Sequence, residues 1–398
     1  MDVGLDRIRK ERELATLVRG RRVALLAHPA SIDVRLDHAG TILRELGARM
    51  VRYFGPEHGF GGEAQDMIGV TDAKARDGLP IVSLYGEHEA DLVPKEGDLS
   101  DIDVLVVDLQ DVGARYYTFI WTAVLALRVA AKLGKGMIIL DRPNPIGTSL
   151  DAVEGKLFAS DHYRSFVGLE PLPVRHGLTL GEIVAHRAHR EGISKEALRV
   201  VAVRNVPASA FEWDRPFVPP SPNMPTADTA LVYPGGCLLE GTNLSEGRGT
   251  TRPFEMFGAP WLDGEELARR YAELGLPGAR ARPISFYPMF QKHARTHCGG
   301  VFVHVEDRAT FRPMATYVAL IALAHAIAPR DFAFRTERYE FRDDVPALDL
   351  LIGAPSMREA MIGGASVKEI LAVSTTATPL EIELVRAAKS EAAPFMIA

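Results

Sequence analysis

The stretch that decides the fold reads DVLVVDLQDVGARYYT and covers residues 103–118. It contains an uninterrupted apolar run from Val104 to Val107 and turns polar at Asp108. A continuous apolar run is typical of a strand that is covered on both faces, as in a parallel sheet. The polar residues after it would lie at the carboxyl end of the strand, where open α/β sheets build their sites.

The same pattern repeats through the first half of the chain. Apolar runs at 22–28, 50–54, 80–85, 136–140 and 198–203 alternate with helical segments near 36–46, 117–133 and 180–189. Thr179 and Glu182 form the capping-box pattern that opens the last of these helices. The alternation predicts an α/β fold with a Rossmann-like, doubly wound, mainly parallel sheet.

Beyond Pro260 the pattern changes. Helices at 264–274 and 314–327, strands near 282–287 and 300–305 and a helical tail predict a smaller α+β domain. We place the boundary near residue 255, which gives a catalytic N-terminal domain at 1–255 and a C-terminal domain at 256–398. Before that boundary, four prolines within residues 219–225 predict a stiff cleft wall.

Composition narrows the function. The 398 residues suffice for about two domains, and 47% hydrophobic and 25% charged residues are ordinary for a globular protein. A net charge of −6 without a dense basic block argues against nucleic acid as a partner. The longest uncharged segment, 313–329, falls short of the roughly 20 apolar residues that span a membrane.

The N-terminal residues lack the apolar segment of a signal peptide. We therefore expect a cytoplasmic protein, with a periplasmic or secreted one as the alternative if a leader has been removed. Cys237 and Cys298 lack metal-binding or disulfide-framework spacing and are interpreted as small buried residues. The sequence leaves the oligomeric state open.

Polar turns follow several of the predicted strands. They read FGPEHG at 54–59, DLQDVGARYYT at 108–118 and DRPNP at 141–145, and a dense polar loop follows at 240–252. These turns should meet at one edge of the sheet and form a cleft that contains acids, amides and arginines. Such a cleft suits a polar, sugar-like substrate.

Ten motifs in matching order resemble the NamZ/YbbC-like family of bacterial exo-β-N-acetylmuramidases. They are GPEHG at 55–59, GLPIVSLYG at 78–86, DVLVVDLQDVGARYYT at 103–118, LDRPNPIG at 140–147, VEG at 153–155, SFVG at 165–168, RHGLTLGE at 175–182, PSPNMPT at 220–226, LLEGTNLSEGRGTTRPFE at 238–255 and GAPW at 258–261. The resemblance implies a Rossmann-like domain, a smaller C-terminal domain and a site in the cleft between them. It also implies removal of N-acetylmuramic acid from the non-reducing end of peptidoglycan fragments.

Glu57 is the first catalytic candidate. Glycoside hydrolysis needs a proton donor for the leaving oxygen and a second group opposite it. Pro56 stiffens the turn, Gly59 permits close approach of the backbone, and the strand end directs the carboxyl into the cleft. The resemblance implies a catalytic glutamate in this same motif, although capping a helix or pairing with an arginine is the structural alternative.

Asp111 is the first candidate for the second catalytic carboxyl. Gly113 keeps its loop tight, and Arg115 lies close in sequence. Glu246 remains an alternative. Asp108 and Asp141 also remain, although acids at strand ends often only brace loops.

The implied substrate adds candidates for binding. Muramic acid carries a lactyl carboxylate, which a guanidinium binds with two hydrogen bonds. The candidates are Arg115, Arg142, Arg175, Arg248 and Arg252. The segment from Glu246 through Arg248 to Thr250 is the most persuasive of these, and a structural salt-bridged loop is its alternative. The remaining candidates could contact sugar hydroxyl, acetamide or ring groups, and they are His58, Gln110, Tyr116 and Asn144.

No cofactor is expected. The chain lacks GxGxxG after its first strand and lacks a Walker pattern, and His293 and His297 have no third partner at metal-ligand spacing. We therefore predict a metal-free glycosidase that acts on muropeptides or disaccharides derived from peptidoglycan. The alternatives are a non-catalytic protein that binds peptidoglycan fragments and, less favoured, a metal-dependent hydrolase that uses the strand-end aspartates.

Overall fold

The computed structural model describes residues 1–206 and 215–398, which contain eleven strands in two sheets. The strands are β1 (Arg22–Ala27), β2 (Arg49–Gly55), β3 (Ala73–Lys74), β4 (Pro80–Ser83), β5 (Val104–Asp108), β6 (Gly136–Leu140), β7 (Leu198–Val201), β8 (Met256–Ala259), β9 (Ala279–Phe286), β10 (Cys298–Val305) and β11 (Met396–Ile397). The larger sheet has eight strands in the order β11-β7-β6-β5-β1-β2-β4-β3, and the smaller has the order β8-β10-β9.

The large sheet is parallel except for β3, which runs antiparallel to β4. Its centre is β1, where Leu25 is paired with Val106 of β5 on one side and with Tyr53 of β2 on the other. The chain first builds outward through β2 and β4 and then continues on the other side of β1. This reversal opens a crevice at the carboxyl ends of β1 and β5, and the predicted α/β fold is confirmed.

Thirteen helices surround the sheets within the described residues. They are α1 (Gly4–Lys10), α2 (Arg12–Ala15), α3 (Ala39–Glu45), α4 (Glu96–Ser100), α5 (Phe119–Lys132), α6 (Leu180–Arg190), α7 (Ala227–Gly236), α8 (Gly264–Glu273), α9 (Pro313–Ile327), α10 (Ala347–Ile352), α11 (Ser356–Ile362), α12 (Val367–Ser374) and α13 (Pro379–Ala392). Three of them, α3, α5 and α6, connect parallel strands that are neighbours in the large sheet. The capping box at Thr179 and Glu182 is confirmed at the start of α6.

The central strands are buried on both faces, as their apolar runs predict. Along β5, Leu105 and Val107 belong to the larger hydrophobic core, whereas Val104 and Val106 belong to the smaller one on the opposite face. Successive side chains of a strand point to opposite faces, so both faces must be covered to bury all four. The larger core continues without a break into the C-terminal half of the chain.

The C-terminal half packs around the small antiparallel sheet and α9. Eleven of the fifteen residues of α9 are buried, which agrees with the expectation of a core helix. Within the described ranges, no helix combines the length and the apolar character that a membrane crossing requires. The strand β8 and the helix α7 are additional elements that the sequence did not suggest.

The end of the chain returns to the large sheet. Met396 and Ile397 form β11, which extends the sheet beside β7. The buried guanidinium of Arg7 donates 2.7 Å hydrogen bonds to the carbonyl oxygens of Ala202 and Ile397. The first helix, the sheet edge and the last strand are therefore joined through one side chain, while the boundary near residue 255 stays a prediction.

Replacing Arg7 should destabilise the fold. The substitution Arg7→Met removes the charged donor of two half-buried carbonyl oxygens, of which that of Ile397 keeps a 3.2 Å hydrogen bond from the backbone N–H of Ala202, and we expect a loss of about 2 kcal/mol in the free energy of unfolding. Urea denaturation followed by circular dichroism measures it. Arg12→Met, at an exposed position of the next helix, is the matched control and should change stability by under about 0.5 kcal/mol. Equal losses in the two variants would contradict this role of Arg7.

Candidate active site

A polar pocket lies beyond the carboxyl ends of β2 and β5, and residues from the C-terminal half of the chain complete it. The empty space between its lining residues, including the part that is open to solvent, is about 470 Å³. Its charged lining consists of four acids and one guanidinium, namely Glu57, Asp66, Glu240, Glu340 and Arg248. A concave site that gathers several interacting titratable groups is a candidate for acid–base chemistry.

Aromatic rings form much of the remaining wall. Tyr116, Tyr117, Tyr233 and Phe254 are edge-to-face neighbours, with ring centroids 5.0–5.8 Å apart in the Tyr116–Tyr233, Tyr117–Tyr233 and Tyr233–Phe254 pairs. The hydroxyl of Tyr116 donates to the carbonyl oxygen of Pro234. These contacts give the acids a rigid surround of low polarity.

Glu57 is held by the turn that ends β2. His58 and Gly59 both have left-handed backbone conformations, with φ of 69° and 80°. A side chain at Gly55 would begin 2.4 Å from the backbone nitrogen of Phe60, so the turn can fold back on itself only with glycine there. The hydroxyl of Thr118 donates a 2.6 Å hydrogen bond to Oε2 of Glu57. The carboxyl is thereby fixed between the β2 turn and the start of α5.

His58 also lines the pocket, but its ring is engaged with the backbone. Its Nδ1 lies 2.8 Å from the carbonyl oxygen of Ala64. This contact holds the loop after Glu57 close to the turn. The loop then brings Asp66 into the lining.

Glu340 enters the pocket from the C-terminal half. It and Phe341 have φ values of 45° and 68°, a left-handed conformation that is costly for residues with side chains and is often found at functional sites. The hydroxyl of Tyr85 donates a 3.1 Å hydrogen bond to Oε2 of Glu340. Burial, and then the charge of nearby Glu57, raise the pKa of Glu340 well above its ordinary value.

Arg248 contacts several acids on the other side of the pocket. Its guanidinium lies 2.9 Å from Asp66, 2.6 Å from Glu240 and 3.1 Å from Glu246. Burial raises the pKa of Asp66 and of Glu240 despite the attraction of Arg248. Burial would also raise the pKa of Glu246, but Lys292 and Arg248 outweigh it and lower that pKa.

Asp111 lies outside the lining of this pocket. It is buried, its Oδ2 accepts a 2.9 Å hydrogen bond from the backbone N–H of Gly113, and the same oxygen lies 3.2 Å from Nε2 of His176. These contacts brace the turn that follows β5. Glu246 and Thr250 are likewise outside the lining, and Thr250 Oγ1 donates to the carbonyl oxygen of Gly247.

Gln110, Arg115 and Asn144 are buried braces of the strand-end loops. Gln110 Nε2 donates to the carbonyl oxygens of Asp111 and Pro143 at 2.8 and 2.9 Å. Arg115 donates to the carbonyl oxygens of Lys156, Leu172 and Leu351, and burial lowers the pKa of its guanidinium to about 10. Asn144 bonds to the backbone of Ile146 and Leu178. None of the three is among the lining residues.

The other sequence-predicted arginines are also engaged. Arg142 bonds to Asp108, Arg175 lies 3.1 Å from Glu154, and Arg252 lies 3.4 Å from Glu255. Asp141 accepts hydrogen bonds from Thr179 Oγ1 at 2.7 Å and from the backbone N–H of Gly181 at 2.9 Å. Burial raises the pKa of Asp141 to about 7. These acids and arginines stabilise the loops around the crevice.

Sequence reasoning therefore identified Glu57, His58, Tyr116 and Arg248 of the lining and missed most of the rest. Glu240 stood within the polar loop that drew attention, and Asp66 stood in the loop after Glu57. Glu340 carried no signal, since it lies far along the chain and outside the matching motifs. Ser221, Asn223 and Met224 of the proline-rich stretch also line the pocket.

Among the described side chains, no group of three or more His, Cys, Asp and Glu residues is arranged to hold a metal ion. The pocket acids are instead bonded to Arg248, Tyr85, Thr118 and Tyr339. The arrangement gathers several carboxyls in one cavity, and burial raises the pKa of three of them, Asp66, Glu240 and Glu340, which suits acid–base chemistry.

The raised pKa of Glu340 predicts a pH dependence of stability. From the ordinary glutamate pKa of 4.5 upward, the folded protein keeps a proton that the unfolded chain has lost. Wild-type stability should therefore fall with rising pH relative to Glu340→Gln, which carries no titrating group there. Urea unfolding from pH 5 to pH 8 measures this difference. Glu337→Gln, an exposed neighbour, is the control and should run parallel to the wild type; a parallel Glu340→Gln curve would contradict the raised pKa.

Comparison with known proteins agrees with the resemblance in the motifs. Residues 23–228 match the family described as exo-β-N-acetylmuramidase NamZ, N-terminal, and residues 231–378 match the C-terminal part of the same description. The peptidoglycan β-N-acetylmuramidase NamZ of Bacillus subtilis (strain 168) is 39% identical over 359 residues, which cover 89% of this chain and 83% of that protein.

Two crystal structures of DUF1343 family proteins from Bacteroides fragilis NCTC 9343 share the fold. One has a TM-score of 0.82 at 28% identity and covers 98% of this chain and 97% of its own. The other has a TM-score of 0.71 at 27% identity and covers 100% of this chain and 98% of its own. With both family parts matched in order, this chain belongs to the exo-β-N-acetylmuramidase NamZ family.

Proposed function

We propose that this protein is an exo-acting glycoside hydrolase that releases N-acetylmuramic acid from the non-reducing end of peptidoglycan fragments. The observation that carries the proposal is the placement of Glu57, in a motif of the family, within a pocket lined by further carboxyls. Muropeptides or disaccharides from cell-wall turnover are the proposed substrates. A cytoplasmic location stays a prediction, with export as the alternative that cell fractionation would reveal.

In the proposed reaction Glu57 donates a proton to the leaving glycosidic oxygen. The hydrogen bond from Thr118 orients the carboxyl, and the aromatic wall excludes bulk water from it. Glu340 supports this role because two neighbouring buried carboxyls cannot both ionise without strong repulsion. Burial and the charge of Glu57 raise the pKa of Glu340, so the pocket holds a proton on Glu340 that can replace the one Glu57 gives to the leaving oxygen.

For the second group we propose Asp66 in preference to Asp111. Asp66 belongs to the lining, and Arg248 at 2.9 Å stabilises its ionised form. A carboxylate so placed can accept the proton of an attacking water molecule. Asp111 lacks access to the pocket and already bonds the turn that follows β5.

Neutralising Glu57 should abolish most turnover. We expect Glu57→Gln to lower kcat on a chromogenic β-glycoside of N-acetylmuramic acid at least about a hundredfold, because the amide cannot donate a proton to the leaving oxygen. Glu89→Gln, at an exposed surface position, is the matched control and should retain wild-type kcat. Full activity of Glu57→Gln would refute the proposed mechanism.

The same assay separates the alternative functions. Binding of N-acetylmuramic acid without release of the chromophore by the wild type would favour a non-catalytic binding protein. Loss of activity with a chelator and recovery with a divalent cation would favour a metal-dependent hydrolase.

Comparing Asp66→Asn with Asp111→Asn tests the second group. We expect Asp66→Asn to lower kcat about a hundredfold, since an amide cannot take up the proton of water. Asp111→Asn should keep kcat within about tenfold of the wild type, because an amide oxygen can still accept the hydrogen bond of Gly113. Steady-state kinetics at matched folded concentrations measure both, and the reverse order would restore Asp111 as the second group.

A further inference from the structure

A groove opens beside the pocket and shares part of its wall. We call it the cationic groove, and its defining residues are Met67, Ile68, Tyr85, Arg335, Arg338 and Phe341. Glu340 lines both the groove and the pocket, and its hydrogen bond from Tyr85 joins the two walls. A substituent of a sugar held in the pocket can therefore extend into the groove, where the empty space, including the part that is open to solvent, is about 1040 Å³.

The two arginines of the groove have no carboxylate partner among the described residues. Arg335 donates to the carbonyl oxygen of Arg338 at 3.1 Å, and its guanidinium carbon lies 5.2 Å from the ring centre of Tyr339. The guanidinium carbon of Arg338 lies 5.7 Å from the ring centre of Phe341. Aromatic rings thus hold both guanidinium groups in place without neutralising them, and donors remain free for a ligand.

The acids of the groove leave this charge in place. Glu340 holds a proton because burial and nearby Glu57 raise its pKa. Glu87 lines the groove but forms no ion pair with either arginine in the part of the chain that the structure describes. A ligand carboxylate could therefore bind two guanidinium groups that no carboxylate of the described residues occupies.

The arginines that the sequence favoured for binding the substrate carboxylate already have partners within the protein. Arg248 already contacts three carboxylates, and Arg115 is used by three backbone carbonyl groups. Recruiting either for a substrate would leave buried partners without their hydrogen bonds, which is costly. Arg335 and Arg338 of the cationic groove would bind a ligand carboxylate without that cost.

We propose that Arg335 and Arg338 bind the carboxylate that distinguishes muramic acid from glucosamine. This inference rests on the proposed function and names the part of the substrate that the groove reads. The carboxylate is that of the lactyl ether on the sugar, or a stem-peptide carboxylate where an amide bond occupies the lactyl group. Met67, Ile68 and Phe341 offer apolar contacts to the methyl group beside it.

The test compares substrates with and without that carboxylate. Chromogenic β-glycosides of N-acetylmuramic acid, N-acetylmuramyl-L-alanine and N-acetylglucosamine are assayed with wild type, Arg335→Gln and Arg338→Gln. Each substitution should lower kcat/KM for the muramic acid substrate about tenfold, because a charge-assisted hydrogen bond is lost. The value for the glucosamine substrate should stay unchanged. Arg330→Gln, an exposed arginine outside the groove, is the matched control.

Two further arms identify the source of the carboxylate and exclude a folding effect. A loss confined to the free muramic acid substrate assigns the lactyl carboxylate, and a loss confined to the alanyl substrate assigns the stem. Arg335→Lys should recover part of the preference, since it keeps the charge. Equal losses on all three substrates, or a loss on none of them, would overturn the proposal.

Binding measurements keep this inference separate from the proposed function. Titration calorimetry with free N-acetylmuramic acid and N-acetylglucosamine needs no turnover. Wild type that prefers muramic acid through Arg335 and Arg338 but releases no chromophore would reject the hydrolase and retain the carboxylate site. Wild type that hydrolyses muramosides while both variants keep the full preference would reject the carboxylate site alone.

Discussion

The constraint on which the structure depends is the burial of several carboxyls in one small pocket. The pocket is lined by Glu57, Asp66, Glu240 and Glu340, and Arg248 is the cationic side chain among them. Such a set is stable only if each acid is paired, hydrogen-bonded or protonated. Arg248 supports Asp66 and Glu240, Thr118 bonds Glu57, and Glu340 retains its proton. Burial thus raises the pKa of Asp66 and of Glu240, and the attraction of one guanidinium offsets that rise only in part.

That constraint explains why two parts of the chain must come together. The large sheet alone supplies Glu57 and Thr118 at strand-end turns, whereas Glu240, Arg248 and Glu340 come from later segments. Long-range contacts hold these segments in place. Arg115 reaches the carbonyl of Leu351 in α10, Tyr339 donates to Glu240, and Arg7 joins the sheet to β11. The order of the pocket therefore depends on the packing between the two halves of the chain.

Several polar side chains surround the site without entering it. Asp111, Gln110 and Asn144 occupy the strand-end positions where catalytic groups are often found. Neighbouring backbone groups hydrogen-bond the side chains of Gln110 and Asn144 and only one of the two carboxyl oxygens of Asp111. Tight turns at the ends of parallel strands leave backbone donors and acceptors unpaired, and short polar side chains satisfy them. A polar residue at such a position consequently serves the turn as readily as a substrate.

The sequence by itself determined the alternating strands and helices, the family and the placement of Glu57 in a constrained turn, because these depend on local apolar runs and on short motifs. Tertiary structure alone decided which acids share the pocket with Glu57, that β11 forms one edge of the large sheet, and which arginines keep their donors free. Glu340 and Glu57 are separated by most of the chain, and no local sequence pattern distinguishes Arg335 from the other arginines. Their roles arise from packing across the halves, which sets burial and partner choice and which no local pattern records.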